Sequence, residues 1–171
     1  MRSSNASLAS SSRFWARHVT YPAPSHDRRA FERFLIDLVA REHVDVVLPV
    51  TDVTTRSVCA TQDVIRPHAS VALPSLEAFD FVSDKGSLLR HAADQGVRVP
   101  RSLVVDGLAG LAEAANQVQY PVVVKATRSR IRTDRGSVAA GVHYAFCADE
   151  LYRLYRDIPY LTSQPSLIQE R

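Results

Sequence analysis

Tyr120 to Ala126 reads YPVVVKA. A proline opens it, three β-branched valines follow, and a lysine stands near its end. Three valines without polar alternation mark a strand buried on both faces, because each face of the pleat must then be apolar. Lys125 emerges where that strand leaves the core. Such a lysine has two readings. Its stem can lie on apolar surface with the head in water, or its ammonium can be a point charge aimed at an anion such as phosphate. The rest of the chain bears on the choice. Its 21 basic residues are 19 arginines and two lysines, Lys85 and Lys125. A site that needs a compact ammonium, not a planar fork, would keep lysine where arginine is otherwise used.

Downstream comes a polar, basic loop, TRSRIRTDRG, and Val138 to Phe146 returns as a strand, so the loop is the tip of a hairpin. Ala148-Asp149-Glu150 begins a helix with its acids where the dipole favours them. Pro165 to Gln169 is a last strand. Upstream, Ser75 starts a short helix (LEAFDFV), and Ser83-Asp84 starts another that ends at Gly96 as a C-cap glycine. Arg101 to Val105, after Pro100, is a strand. Asp106 or Gly107 then opens an alanine-rich helix to about Val118.

The first half has a different rhythm. Ser25 or Asp27 caps a helix to about Glu42, whose Phe31, Phe34, Leu35, Leu38 and Val39 make one apolar stripe. Val44 to Val50 is mostly apolar and reads as a central parallel strand, with Pro49 at its end where a lost ladder bond costs least. Thr51-Asp52 caps a helix over about Val53 to Ile65, and Ser70 to Leu73 is a short strand closed by Pro74. This alternation argues for a doubly wound α/β layer. Residues 1 to 13 are serine-rich and free of acids, which reads as a frayed, flexible start.

The totals narrow the classes. With 171 residues, 46% hydrophobic and 23% charged, the chain has the composition of a soluble globular protein. No apolar run approaches the ~20 residues that span a bilayer. Cys59 and Cys147 stand in no metal-ligand spacing, and the six histidines form no HxxxH or HExxH pattern, so no metal ligands are expected and a reduced, cytoplasmic protein is the default. No glycine-rich turn follows an early strand, so a dinucleotide fingerprint is absent.

The order SDKGSLLRHAADQGVRVPRS, YPVVVKA, basic hairpin, CADEL and LIQER resembles the ATP-grasp superfamily, in particular the carbamoyl-phosphate-synthase-like ligases and carboxylate–amine ligases. The resemblance covers about residues 14 to 171. It implies an α/β fold: a partial Rossmann-like pre-ATP-grasp layer over 14–83, then the small α+β ATP-grasp lobe over 84–171, with an antiparallel sheet. The chain ends directly after its last strand, and it reads as a piece of something longer that stops at the hinge strand.

The resemblance also implies roles. Lys125 matches the strand lysine that reaches the nucleotide phosphates, and Lys85 matches the lysine at the start of the preceding helix. Arg128 to Gly136, including Ser129 and Gly136, matches the mobile loop that covers the phosphates. Gln169 and Glu170 match the interlobe hinge that hydrogen-bonds the adenine edge. ATP is the implied cofactor, and a small carboxylate the implied partner substrate, phosphorylated by ATP and then captured by an amine or similar nucleophile. Magnesium ligands are expected in the lobe beyond the hinge, so this chain should hold half an ATP site, no catalytic residue and no activity alone. Two alternatives come from other classes: a nucleic-acid-binding module using the four arginines of RSRIRTDR, or an inert α/β interaction fragment. Against nucleic acid, no aromatic is interleaved among those arginines and the net charge is only +3.

Overall fold

The computed structural model describes residues 12–14, 16–133 and 136–171, and for residues 132, 133, 136 and 137 the backbone alone. The chain divides into two compact units, Met1–Ala72 and Leu73–Arg171. Most of the flexible start expected for residues 1 to 13 lies outside the described residues.

In the first unit, α1 (Arg28–Glu42) and α2 (Asp52–Ile65) pack together. Asp27 caps α1 by accepting from the Ala30 N–H at 2.9 Å, and the helix stops where His43 turns left-handed, φ 49. Thr51 and Thr54 form a reciprocal capping box at the start of α2, which satisfies two of its free N–H groups. The apolar stripe buries Phe31 and Val39, and Val58 and Ile65 of α2 are buried as well. The central strand expected over Val44 to Val50 does not form. Val46 makes one parallel bridge with Ser70, and Val46, Leu48 and Val50 are exposed. The pairing has the expected direction but cannot extend. Pro49 has no N–H to give, and the facing segment ends at Pro74.

The second unit opens with α3 (Leu76–Ser83), capped by Ser75, and α4 (Lys85–Asp94), capped by Asp84. Then follow β1 (Ser102–Asp106), α5 (Leu111–Gln117), β2 (Val122–Ala126), β3 (Arg130–Thr133), β4 (Gly136–Ala139), β5 (Val142–Ala145), α6 (Ala148–Asp157), α7 (Pro159–Ser163) and β6 (Pro165–Glu170). Four strands form one antiparallel sheet in the order β1-β6-β2-β5, while β3 and β4 pair only with each other. The last strand in sequence is thus central in space. The expected strand from Val138 to Phe146 is divided at Ala140-Gly141, with one half in the hairpin and the other in the sheet.

One face of the sheet is covered by helices. Val105, Val122, Val124, Ala145 and Ile168 pack there against Leu111 and Ala115 of α5, Leu151 and Tyr155 of α6, and Leu161 of α7. Each large side chain buried in this way is worth ~1.5–3 kcal/mol. Two polar groups enter the core together. The Ser166 hydroxyl donates to the Val105 carbonyl at 3.3 Å, so the Tyr155 hydroxyl donates to Ser166 Oγ in turn. The valine run is therefore not buried on both faces. Val122, Val124 and Ala126 are buried, whereas Val123 and Lys125 on the other face are half-buried. In an antiparallel sheet whose two faces are covered unequally, alternate residues meet different surroundings however apolar they are.

Candidate functional site

The face of the sheet away from α5, α6 and α7 carries the candidate site. Strand register sets its rows. One row runs Val104, Leu167, Lys125 and Val142 across β1, β6, β2 and β5, and the next runs Ser102, Gln169, Val123 and Tyr144. Val104, Val142 and Tyr144 are exposed. This is a mostly apolar face with one ammonium in its middle.

That ammonium is met by a neutral group. Lys125 Nζ donates to Gln169 Oε1 at 2.9 Å, Gln169 Nε2 donates to Ser102 Oγ at 3.0 Å, and the Ser102 hydroxyl donates to the Pro100 carbonyl at 2.8 Å. An amide oxygen orients an ammonium without cancelling its charge, so the positive charge remains available to an anion.

Lys85 arrives from α4. Its backbone N–H donates to the Thr127 carbonyl at 2.9 Å, and its Nζ donates to the same carbonyl at 3.3 Å and to Ser129 Oγ at 3.0 Å. The next residue shows why the helix can come so near. A Cβ on Gly86 would lie 3.0 Å from Val104 Cγ2 and 3.5 Å from Thr127 Cγ2, so its absence lets the first turn of α4 settle on the row that holds Lys125. The two lysines, 40 positions apart in sequence, thus serve the same side of the sheet.

The loop after β2 is stitched to the corner between α3 and α4. Arg128 lies 3.5 Å from the Asp84 carboxylate and 3.9 Å from that of Asp80, and it donates to the Asp80 carbonyl at 3.3 Å. The Ala140 N–H closes the base of the hairpin on the Ser129 carbonyl at 2.9 Å. Beside this loop is a cavity of about 190 Å³ lined by Asp84, Thr127, Arg128, Arg130, Gln164 and Pro165. It is smaller than the usual ~300–1,000 Å³ of a ligand pocket. Gly136 opens β4 opposite Thr133. Asp134 and Arg135 lie outside the described residues.

Of the six residues that the sequence groups, Lys85, Lys125, Gln169, Glu170, Ser129 and Gly136, the structure brings Lys85, Lys125, Ser129 and Gln169 to the outer face and its adjoining loop. Glu170 goes elsewhere. By alternation it is on the opposite face from Gln169, where its Oε1 accepts from Arg101 Nη1 at 3.2 Å and from the Gln119 N–H at 2.9 Å. Ser102 and Thr127 were missed. A polar first residue in an otherwise apolar strand is a signal for Ser102, but no spacing links it to Gln169, which is 67 positions away. Among the described residues, no three or more His, Cys, Asp or Glu side chains are grouped to hold a metal ion. No helix among them is long and apolar enough to cross a membrane.

No protein-family model matches the chain, and no curated protein matches it. Solved structures do. A carboxyaminoimidazole ribonucleotide synthase from Aspergillus clavatus, complexed with ATP, is similar at 17% identity and a TM-score of 0.56, over 91% of this chain and 36% of that one. A RimK-domain ATP-grasp protein from Sphaerobacter thermophilus is similar at 19% identity and a TM-score of 0.47, over 66% of this chain and 40% of that one. The chain spans little more than a third of the length of these solved proteins. The likeness to the synthase shows the fold alone, a mixed α/β fold.

Proposed function

We propose that this chain with an ATP-grasp fold is the ATP-binding portion of a ligase, and that it holds the nucleotide on the outer face of its four-stranded sheet. The observation that carries the proposal is Lys125, an ammonium half-buried among apolar side chains whose hydrogen-bond partner is a neutral amide. A cation so placed attracts anions more strongly than one in open water, because the local dielectric is lower. Lys125 and Lys85 bind the phosphates. Ser129 and the described backbone of β3 and β4, from Gly136 on in the latter, lie over them. The apolar rows beside Lys125 give the base and sugar a surface to rest on. Gln169 Oε1 and Nε2 are already paired, and Glu170 lies on the opposite face with its Oε1 paired, so neither side chain is assigned a direct contact with the base.

In the complete protein the reaction is phosphorylation of a small carboxylate by ATP, followed by capture of the acyl phosphate by an amine or thiol. For that reaction this chain's residues bind and orient the triphosphate. The magnesium ligands are expected in the lobe beyond the hinge, since no three His, Cys, Asp or Glu side chains are grouped among the described residues. The 171-residue chain is therefore expected to bind ATP without turning it over. Cys59 and Cys147 are not joined in a disulfide, which suits a reducing compartment such as the cytoplasm. Nucleic acid is the weaker partner, because Arg128 of the basic loop is engaged with Asp80 and Asp84.

Equilibrium binding of ATP to the purified chain tests the proposal. Lys125→Ala should weaken binding measurably without abolishing it, with little change in thermal stability, and Lys125→Arg should restore only part of the loss, because a planar fork does not replace a compact ammonium. Heparin retention without nucleotide affinity would overturn the reading in favour of nucleic acid. Phosphate release above background, lost with Lys125→Ala, would refute the expected lack of turnover.

A further inference from the structure

The polar path that starts at Lys125 continues past Gln169. We propose that Ser102 and Gln169 form a fixed relay that aims the Lys125 ammonium at the nucleotide phosphates, which makes both of them positioning residues. The inference rests on the nucleotide-binding reading above. Its force comes from the sense of the three hydrogen bonds. An ammonium can only donate and a carbonyl can only accept, so both ends of the path have fixed roles. Ser102 gives its one hydroxyl proton to the Pro100 carbonyl at 2.8 Å, and towards Gln169 it can then only accept. That fixes the amide, with Nε2 towards Ser102 at 3.0 Å and Oε1 towards Lys125 at 2.9 Å. Without Ser102 the amide could turn over and present a donor to the ammonium, which would repel it.

Sheet register makes the relay short. Ser102 and Gln169 are directly opposite each other on β1 and β6, and Lys125 stands one step along on β2, opposite Leu167. A lysine on an open sheet face would otherwise sample many rotamers, each placing its charge differently. One neutral acceptor selects among them and leaves the charge intact. A glutamate at position 169 could also reach Lys125, but it would neutralise the charge meant for phosphate.

With only two lysines, the protein allows a direct test. In the full chain labelled with 13C and 15N at lysine, Lys85→Arg assigns the two side-chain signals. Ser102→Ala should move the Lys125 signals and speed exchange of its ζ protons, leaving those of Lys85 in place. It should also weaken ATP binding about fivefold, the worth of one neutral hydrogen bond. Ser102→Thr keeps the hydroxyl and should restore both readouts. In a Lys125→Ala background, Ser102→Ala should have no further effect on affinity. A purely structural Ser102 would lower the thermal midpoint while the Lys125 signals stayed still, and that result overturns the relay. So does an equal loss of affinity with and without Lys125. If the wild-type chain binds no ATP, the nucleotide-binding reading fails by itself, and the lysine signals alone decide whether the relay exists.

Discussion

Gly107 offers a stringent test of how the second unit is packed. It follows β1 with φ +60, and a Cβ built on it would lie 2.6 Å from the Thr162 carbonyl oxygen. Ordinary contact begins at 3.4 Å, so Gly107→Ala requires a separation of 3.4 − 2.6 = 0.8 Å. The obstacle is backbone, and no side chain can rotate away to relieve it. Thr162 is in α7 next to Leu161, which is fully buried in the core, so moving one loosens the other. A left-handed non-glycine residue costs ~1–2 kcal/mol, and overpacking of this kind costs ~1–3 kcal/mol. Stiffening the unfolded chain returns ~0.4–1 kcal/mol. The net expectation is a loss of ~2–4 kcal/mol. Gly110 is the control. It has φ +80 and nothing within 4 Å of a built Cβ, so Gly110→Ala bears only the backbone strain. Native-state hydrogen exchange at the amides of Leu167 and Ile168, in the central strand, reads the stability of this unit. Gly107→Ala should speed it ~30- to 1,000-fold, at ~1.4 kcal/mol per factor of ten. Equal rates for the two variants would refute the close approach of α7 to the end of β1.

Burial pushes the Tyr155 phenol above its ordinary value, so the folded state keeps that proton at a pH where the unfolded chain releases it. The resulting stability is fully present below about pH 10 and is lost as pH rises through the folded value. Urea midpoints should therefore decline above about pH 10, and Tyr155→Phe should flatten that decline while lowering stability near neutrality by ~1 kcal/mol. An unchanged alkaline limb in Tyr155→Phe would show that this phenol is not the source. Asp84→Ala removes the cap of α4, where the carboxylate accepts from the Ser87 N–H at 3.0 Å, and should cost ~1 kcal/mol. Asp84→Asn retains the cap and should stay within about 0.5 kcal/mol of wild type. Equal losses in both would place the effect in the charge contact with Arg128. Gln169→Glu should weaken ATP binding more than Ser102→Ala does, since it sets a carboxylate against Lys125. Calorimetric titration with ATP measures both, and an affinity equal to wild type would refute the role given to the neutral amide.

Local signals in the sequence determined most of the elements. Asp27, Thr51, Ser75 and Asp84 each stand before a helix that forms, because an N-cap acts within three residues and needs nothing from the rest of the chain. The strand at Val122–Ala126, the basic hairpin and most of the elements after Pro74 were legible for the same reason, whereas α7 and the division of Val138–Phe146 into two strands were not. The sequence also sets apart two lysines in a chain that otherwise uses arginine. Tertiary structure decided what depends on neighbours far away in sequence. Val44–Val50 is as apolar as a buried strand should be, yet without a long partner it makes a single bridge. Helices α5, α6 and α7 cover one face of the sheet and the first turn of α4 meets the other, so the valine run is fully buried on the first face and half-buried on the second. Placing β6 between β1 and β2 brought Ser102, Gln169 and Lys125 together and sent Glu170 to the other face. Strand pairing is a long-range choice in which a shift of one residue exchanges the two faces. Which polar group meets which ammonium is therefore settled only when the sheet closes.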